Sequence, residues 1–456
     1  MNPSAPSADP LNRWHRLGLW ALAATFVGFA ILAEVRGAFL QRPMTDVQVY
    51  LRAAWAARTG GDVYTITDDN HWHYHYPPLL AILAAPLADA PRGADRNGLL
   101  PLSVSVALWY WLSVACLVAG VHALASALDP GAVPYGRRWW ALRVGPVLAC
   151  LTPVIATLMR GQVNLFLLGL LCFAAAAMLR GRSWRAGLWI AFAACLKVYP
   201  AYLVVYPLWR RDWRCLGGCA VGLLIGLVLV PVAWLGPTRT VECYSEWSEV
   251  LMRPGLGTGE DHARDYELIR ATATESQSIE SMLHNTIYFD RWTRPAQHAP
   301  WVRVAHWLLG GLLTLVTLLA AGRRADAHPL QPLLLLGALT LIMLLLSPIS
   351  HLHYFCLALP LVMVLAARQW DLYGTTRLGW GFLLVLVANF VLNALTHLPW
   401  SDTARDLGFA SYGALLLWGF TVMVMWRQRA AAGQARLLPV PATASVEEGT
   451  PLQKAS

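Results

Sequence analysis

The stretch AGLWIAFAACLKVYPAYLVVYPLW, residues 186–209, decides how this chain is threaded. It is apolar and long enough to cross a ~30 Å hydrocarbon core once as a helix. Its flanks argue otherwise. Arg180, Arg182 and Arg185 precede it, and Arg210, Arg211 and Arg214 follow it. A single crossing would leave one arginine cluster outside, against the positive-inside rule. Lys197 and Pro200 also interrupt its middle. Two half-helices that enter and return keep both clusters cytoplasmic, with Lys197-Val198-Tyr199-Pro200 at the tip. Broken helices of this kind are tolerated where they line a protein-buried or watery cavity. A half-helix of eleven residues, at ~1.5 Å each, carries Lys197 about to mid-bilayer.

The rest of the chain fits that frame. Of 456 residues, 57% are hydrophobic and 13% charged, and the mean hydropathy is +0.47. A soluble chain has about 45–50% apolar and about 25% charged residues, so an ordinary cytosolic enzyme, a disordered chain and a disulfide-rich secreted domain are excluded. Arg13 and Arg16 open an uncleaved first span, 17–35, and further spans are expected near 99–128, 144–158, 163–179, 216–235, 302–321, 330–346, 354–366, 378–396 and 409–425. With ten spans and the re-entrant pair, cytoplasmic segments hold nineteen Lys and Arg against seven Asp and Glu, and outer segments sixteen against nineteen. The net charge of +9 is therefore a matter of topology and not of nucleic acid, and both termini are cytoplasmic. Seven of the eight cysteines lie in or beside apolar segments, which leaves no loop disulfide framework. Residues 1–427 read as one membrane-embedded domain with large outer loops at 36–97 and 236–300, followed by a disordered cytoplasmic tail, 428–456.

The outer loops carry the candidates for chemistry. From Asp46 to Arg58, apolar residues recur at helical spacing until Gly60-Gly61, which predicts an amphipathic helix on the membrane surface with Asp46 in its first turn. An acid there is explained equally by helix capping and by catalysis. His71, His73 and His75 alternate along an extended segment, but no carboxylate or cysteine stands at a matching spacing, so no metal site is expected. Arg160, Lys197 and the pair His351 and His353 sit where outer loops meet spans. Ionisable groups at membrane depth are costly and are functional candidates, with snorkelling or inter-helix hydrogen bonding as the alternative. One outward carboxylate with several cations suits transfer from a phosphate-activated lipid. The carboxylate takes the acceptor's proton, the cations hold the phosphate, and no general acid is needed. A transporter or flippase of lipid-linked sugars is the alternative, disfavoured by the lack of an internal repeat and by bulky loops on one side only.

The ordered set Asp46…Tyr50, Tyr76-Pro77-Pro78-Leu79, Gly161-Gln162-Val163-Asn164, Leu196-Lys197-Val198-Tyr199-Pro200 and Ser347-Pro348-Ile349-Ser350 resembles glycosyltransferase family 87. These are GT-C-type membrane enzymes, including polyprenol-phosphate-mannose-dependent α-mannosyltransferases of mycobacterial glycolipid synthesis. The resemblance implies an all-α polytopic bundle, GT-C-like, with short helices in its two outer loops. It implies an inverting, extracytoplasmic transfer of a hexose, mannose favoured, in the bacterial inner membrane. The co-substrate is a polyprenyl-phosphate sugar, with no separate cofactor, and the acceptor is a lipid or glycan. No segment calls for a protein partner. By the same resemblance Asp46 is the catalytic residue, and Gln162, Asn164, Lys197 and His353 bind donor phosphate or sugar; Arg160 and His351 join that set by their placement where outer loops meet spans. Tyr50, Tyr76, Gln277, Ser278 and His284 position the acceptor or the loop. Ser276 stands where the family often has Asn, and His284 where a basic residue is common.

Overall fold

A computed structural model describes residues 13–41, 45–253, 275–323, 328–374, 379–398 and 401–437. These are almost entirely helical, and the one β pairing among them is an isolated bridge between Thr67 and His73. Among the described residues seven helices are long and apolar enough to cross a membrane: α1 (Arg13–Phe39), α3 (Leu102–Leu128), α8 (Trp213–Leu235), α10 (Pro300–Ala321), α12 (Leu352–Tyr373), α13 (Trp380–His397) and α15, whose qualifying stretch is Phe409–Ala431. Helices α4 (Arg137–Ala149) and α5 (Leu151–Arg160) are long and apolar enough together and are bent by 67° at the break at Cys150. Three shorter apolar helices are α6 (Asn164–Leu179), α7 (Ser183–Leu196) and α11 (Gln331–Leu346). The chain is a multi-pass membrane protein.

Burial sorts these helices. Helix α1 buries only Ala33 and Gly37 and turns Trp20, Ile31 and Leu32 outward, as a lipid-facing helix does, whereas α11 is buried along nearly all its length and forms the centre of the bundle. Without lipid-excluded water to drive association, membrane helices meet most closely where small residues let backbones touch. Gly120 of α3 lies against Gly169 of α6, and Trp109 stacks near Phe166, so these two helices run parallel.

The same test settles the course of residues 186–209. Along α7 and α8, Trp184 packs on Gly218, Gly187 on Cys215, Ala191 on Gly222 and Cys195 on Gly226. From Gly187 with Cys215 onward the pairs rise together in sequence, so α7 and α8 also run parallel, and the chain between them must return to its starting side. It does so through a 3₁₀ turn, Tyr199–Val204, and a short helix, Val205–Arg210. Both arms are about 21 Å long by their rise per residue. Both arginine clusters therefore lie at one end of the bundle. The inward arm is longer than the eleven residues expected, because the helix begins at Ser183, directly after the Gly181-Arg182 turn. Its fourteen residues carry Lys197 about two-thirds of the way across a ~30 Å core, toward the Asp46 end.

Two expectations are corrected. Helix α2 (Val47–Thr59) does not lie on the membrane surface: ten of its thirteen residues are buried. Gln48 and Arg52, which read as its solvent side, are covered by the loop that follows. Arg52 is paired with Asp69 at 2.9 Å and Asp89 at 3.2 Å, and Gln48 donates to Asp69 at 3.1 Å. Breaking a buried pair of this kind by removing one partner costs about 3–5 kcal/mol, so this network clamps α2 in place. Second, α15 continues as helix through Phe409–Leu437, so residues 428–437 are not disordered; 438–456 lie outside the described residues, as does 254–274 of the second large loop.

The parallel packing of α7 and α8 predicts the result of accessibility labelling in a cysteine-free background. Ser183→Cys and Asp212→Cys should react with an impermeant maleimide from the same side, and Trp292→Cys from the other. Reaction of Ser183→Cys and Asp212→Cys from opposite sides would mean that the segment crosses fully.

Candidate functional site

The site forms where the tip of the re-entrant pair meets the turn between α5 and α6 and the start of α2. Asp46 occupies the N-cap position of α2, yet its side chain makes no capping hydrogen bond. Its carboxylate Oδ2 instead accepts from Gln162 Nε2 at 2.6 Å, and its backbone N–H donates to the Arg160 carbonyl at 2.8 Å. Among the described residues Oδ1 has no hydrogen-bond partner. Gln162 is oriented in turn by Tyr50, whose hydroxyl donates to Gln162 Oε1 at 3.0 Å and lies 3.2 Å from the Tyr76 hydroxyl. Burial pushes the Tyr50 and Tyr76 phenols far above their ordinary range, with the Asp46 charge adding to it, so both remain hydrogen-bond donors.

Gly161 makes this arrangement possible. It ends α5 in the left-handed region, at φ 65°, and a Cβ there would stand 2.7 Å from Cβ of Val47. Its carbonyl accepts from Trp109 Nε1 at 2.8 Å. Only a residue without a side chain lets the turn press against the start of α2.

Lys197 is buried beside this network. Its ammonium donates to Asn164 Oδ1 at 3.3 Å and lies 3.7, 5.0 and 5.4 Å from the ring centres of Tyr354, Tyr76 and Tyr199. Among the described residues no carboxylate forms an ion pair with it. Cation–π contact stabilises such a charge by about 2 kcal/mol when desolvated, well short of the cost of burying an ion, so a bound anion would favour the ammonium form. Asn164 also receives the Tyr199 hydroxyl at 3.3 Å and donates to the His353 carbonyl at 3.3 Å. His353 stacks on His351 at 5.4 Å, and its Nε2 is buried without a hydrogen-bond partner. Burial first, then Arg160 and Lys197, push His351 down to about 3, so this ring is a neutral hydrogen-bonding group and not a cation.

The structure thus brings together Asp46, Tyr50, Tyr76, Gln162, Asn164, Lys197, His351 and His353. Arg160 joins through its backbone. Gln277, Ser278 and His284 stand apart and hold the second outer loop. Gln277 donates from its backbone to Ser350 and from Nε2 to the Arg405 carbonyl, Ser278 caps α9 (Ile279–Ile287), and His284 bonds the Pro295 carbonyl at 3.0 Å. The histidines of residues 71–75 join no cluster: among the described residues no three His, Cys, Asp or Glu side chains converge as a metal requires. Sequence reasoning missed Tyr354 and the role of Tyr199, though both stand beside singled-out residues, and it missed Arg405.

An all-helical membrane bundle that sets an outward carboxylate, Asp46, beside a buried lysine without an ion-pair partner among the described residues has the parts of a membrane enzyme for group transfer from an anionic donor. Residues 74–348 match the sequence model of glycosyltransferase family 87, and the chain belongs to that family. It is 28% identical over 377 residues to the polyprenol-phosphate-mannose-dependent alpha-(1-2)-phosphatidylinositol mannoside mannosyltransferase of Mycobacterium tuberculosis, which covers 79% of each chain. It is 25% identical over 443 residues to an alpha-(1->3)-arabinofuranosyltransferase of Corynebacterium glutamicum, covering 93% of this chain and 91% of the relative. The crystal structure of ArnT from Cupriavidus metallidurans bound to undecaprenyl phosphate aligns over 92% of this chain and 81% of its own, at 16% identity and a TM-score of 0.34. Family membership displaces the transporter alternative.

Gly161→Ala should abolish most activity in a protein that still inserts, because both the left-handed backbone and the Val47 contact are violated. The αL penalty alone is roughly 1–2 kcal/mol. Val47→Gly in the same chain should restore part of the turnover, because it removes the Cβ that the new methyl would strike. Wild-type turnover in Gly161→Ala would show that the turn does not need this close approach.

Proposed function

We propose that this chain transfers a hexose, with mannose favoured, from a polyprenyl-phosphate sugar to a lipid or glycan acceptor, with inversion at the anomeric carbon. Transfer takes place at the extracytoplasmic face of a bacterial plasma membrane, and both termini are cytoplasmic. The observation that carries the reading is Asp46. At a helix start where capping would be the ordinary use of an acid, its carboxylate is turned away from the helix amides and held by Gln162. The orientation of the membrane rests on the arginine-rich end being cytoplasmic, and the choice of mannose and of a polyprenyl-phosphate donor rests on the M. tuberculosis relative.

In the proposed reaction the acceptor hydroxyl gives its proton to Asp46 while its oxygen attacks the anomeric carbon. The carbon–oxygen bond to phosphate breaks, and polyprenyl phosphate leaves with the electron pair. A single displacement inverts the centre, and one carboxylate suffices, whereas hydrolysis of an ordinary glycoside uses two. Lys197 supplies the charge that the leaving phosphate needs, and the unpaired His353 Nε2 offers a further hydrogen bond. The donor is itself the co-substrate, and no separate cofactor takes part.

Purified protein in detergent, given a radiolabelled polyprenyl-phosphate mannose and a lipid extract, should form a labelled lipid of inverted configuration, at a rate unchanged by a chelator. Lys197→Ala should lower donor affinity and turnover together, and Lys197→Arg should not fully restore them, because a planar fork does not replace a point charge inside three tyrosine rings. No transfer from any polyprenyl-phosphate sugar, or normal donor affinity in Lys197→Ala, would contradict the reading.

A further inference from the structure

Arg160 is expected from the sequence to bind donor phosphate, yet the site around Asp46 takes up only its backbone, and the surroundings of its side chain show how that side chain is used. The carboxylate of Glu275 bridges two guanidinium groups: Oε2 lies 4.0 Å from Nη2 of Arg160, and Oε1 lies 2.9 Å from Nη1 of Arg405. Arg160 ends α5, and Arg405 stands in α14 (Asp402–Asp406), between the last two spans. His397, in the last turn of α13, is coupled electrostatically to Arg36, Arg160, Arg405 and Glu275 alike. Basic groups from separate elements therefore gather around Glu275, and Arg405 is steadied from its other side by Asp402 of its own helix.

All three side chains of the bridge are open to a ligand, at 23% exposure for Arg160, 24% for Arg405 and 34% for Glu275. The backbone beneath Glu275 is fixed. Ser276 Oγ donates to the Pro348 carbonyl at 3.2 Å and accepts from Ser350 N at 3.1 Å, and Gln277 Nε2 donates to the Arg405 carbonyl at 2.7 Å. Among the described residues the Glu275 side chain itself is held only by the two arginines. The Arg160 carbonyl meanwhile receives the Asp46 N–H, so whatever binds the Arg160 side chain binds one residue from the candidate catalytic turn.

Two guanidinium groups converging on one doubly oxygenated anion are also the arrangement that captures phosphate, through charge-assisted and forked hydrogen bonds. We propose that Arg160 and Arg405 form a seat for a lipid phosphate and that Glu275 is its built-in occupant. The incoming phosphate displaces the Glu275 carboxylate, which otherwise screens the two arginines from each other. When the phosphate is to leave, the tethered carboxylate competes for the same donors and speeds its release. The identity of the phosphate as that of the polyprenyl lipid rests on the function proposed above.

The test uses full-length protein in phosphatidylcholine nanodiscs, titrated with undecaprenyl phosphate, with phosphatidylinositol and with inorganic phosphate. If Glu275 occupies the seat about 70–90% of the time, removing its charge should raise apparent affinity roughly three- to tenfold. Glu275→Gln should therefore bind undecaprenyl phosphate more tightly while releasing product more slowly, which lowers KM and kcat together. Glu275→Asp, with a shorter tether, should tighten binding as well, and Arg405→Gln should weaken it about tenfold or more. A strut that merely holds the loop would give the opposite sign, and unchanged or weaker binding in both Glu275 variants overturns the proposal. Tighter binding of phosphatidylinositol alone in Glu275→Gln keeps the lipid-phosphate seat and refutes the donor reading instead. A gain seen only with inorganic phosphate, or with none of the three, overturns the lipid seat.

Discussion

A positive charge held in the apolar middle of a helical bundle governs this fold. Lys197 reaches its position only because a half-helix enters the membrane, stops and turns back, and a helix that stops inside a bilayer exposes backbone groups that lipid cannot satisfy. The 3₁₀ return from Tyr199 takes up part of that demand, and close packing takes up the rest. Helix α7 is pressed against α8 at Gly187 and Gly218, where side chains would not fit. Its tip is closed by Asn164, Tyr76, Tyr199 and Tyr354, which come from three other parts of the chain. The cage solvates the ammonium without neutralising it. That distinction matters for function, since an ion pair would have to be broken before a phosphate could bind Lys197.

The second constraint is the attachment of α2. A catalytic carboxylate on a loose surface helix would wander by more than the ångström or so that transfer chemistry tolerates. Here α2 is clamped on one side by Arg52 with Asp69 and Asp89, and on the other by the turn at Gly161, which abuts Val47. Asp46 sits at the point where both clamps act.

The spans, the return of residues 186–209 and the sidedness of the arginines were legible because they follow from local quantities: length, hydropathy and charge at the flanks. The convergence of Asp46, Gln162, Asn164 and Lys197 could be anticipated only through the family resemblance, since no spacing places residues 46 and 162 side by side. The surface placement of α2 failed for a physical reason. Gln48 and Arg52 read as solvated because their partners, Asp69 and Asp89, lie one loop later, and local periodicity cannot distinguish a buried ion pair from an exposed face. The bridge from Glu275 to Arg160 and Arg405 was equally hidden, because it joins three segments far apart in sequence. Arg405 also lies beyond residues 74–348, the stretch matched by the family.

The central claim is that Asp46 is held as a base and not as a helix cap. Asp46→Asn keeps the size of the side chain while removing the basic oxygen, and it separates the two roles in one measurement of turnover per folded molecule. The account predicts a fall of about 10²–10⁴-fold or more, the range of a general base, with thermal stability and binding of the polyprenyl-phosphate donor nearly unchanged. Turnover close to wild type in a well-folded Asp46→Asn protein, or a loss explained wholly by lower stability, would contradict it.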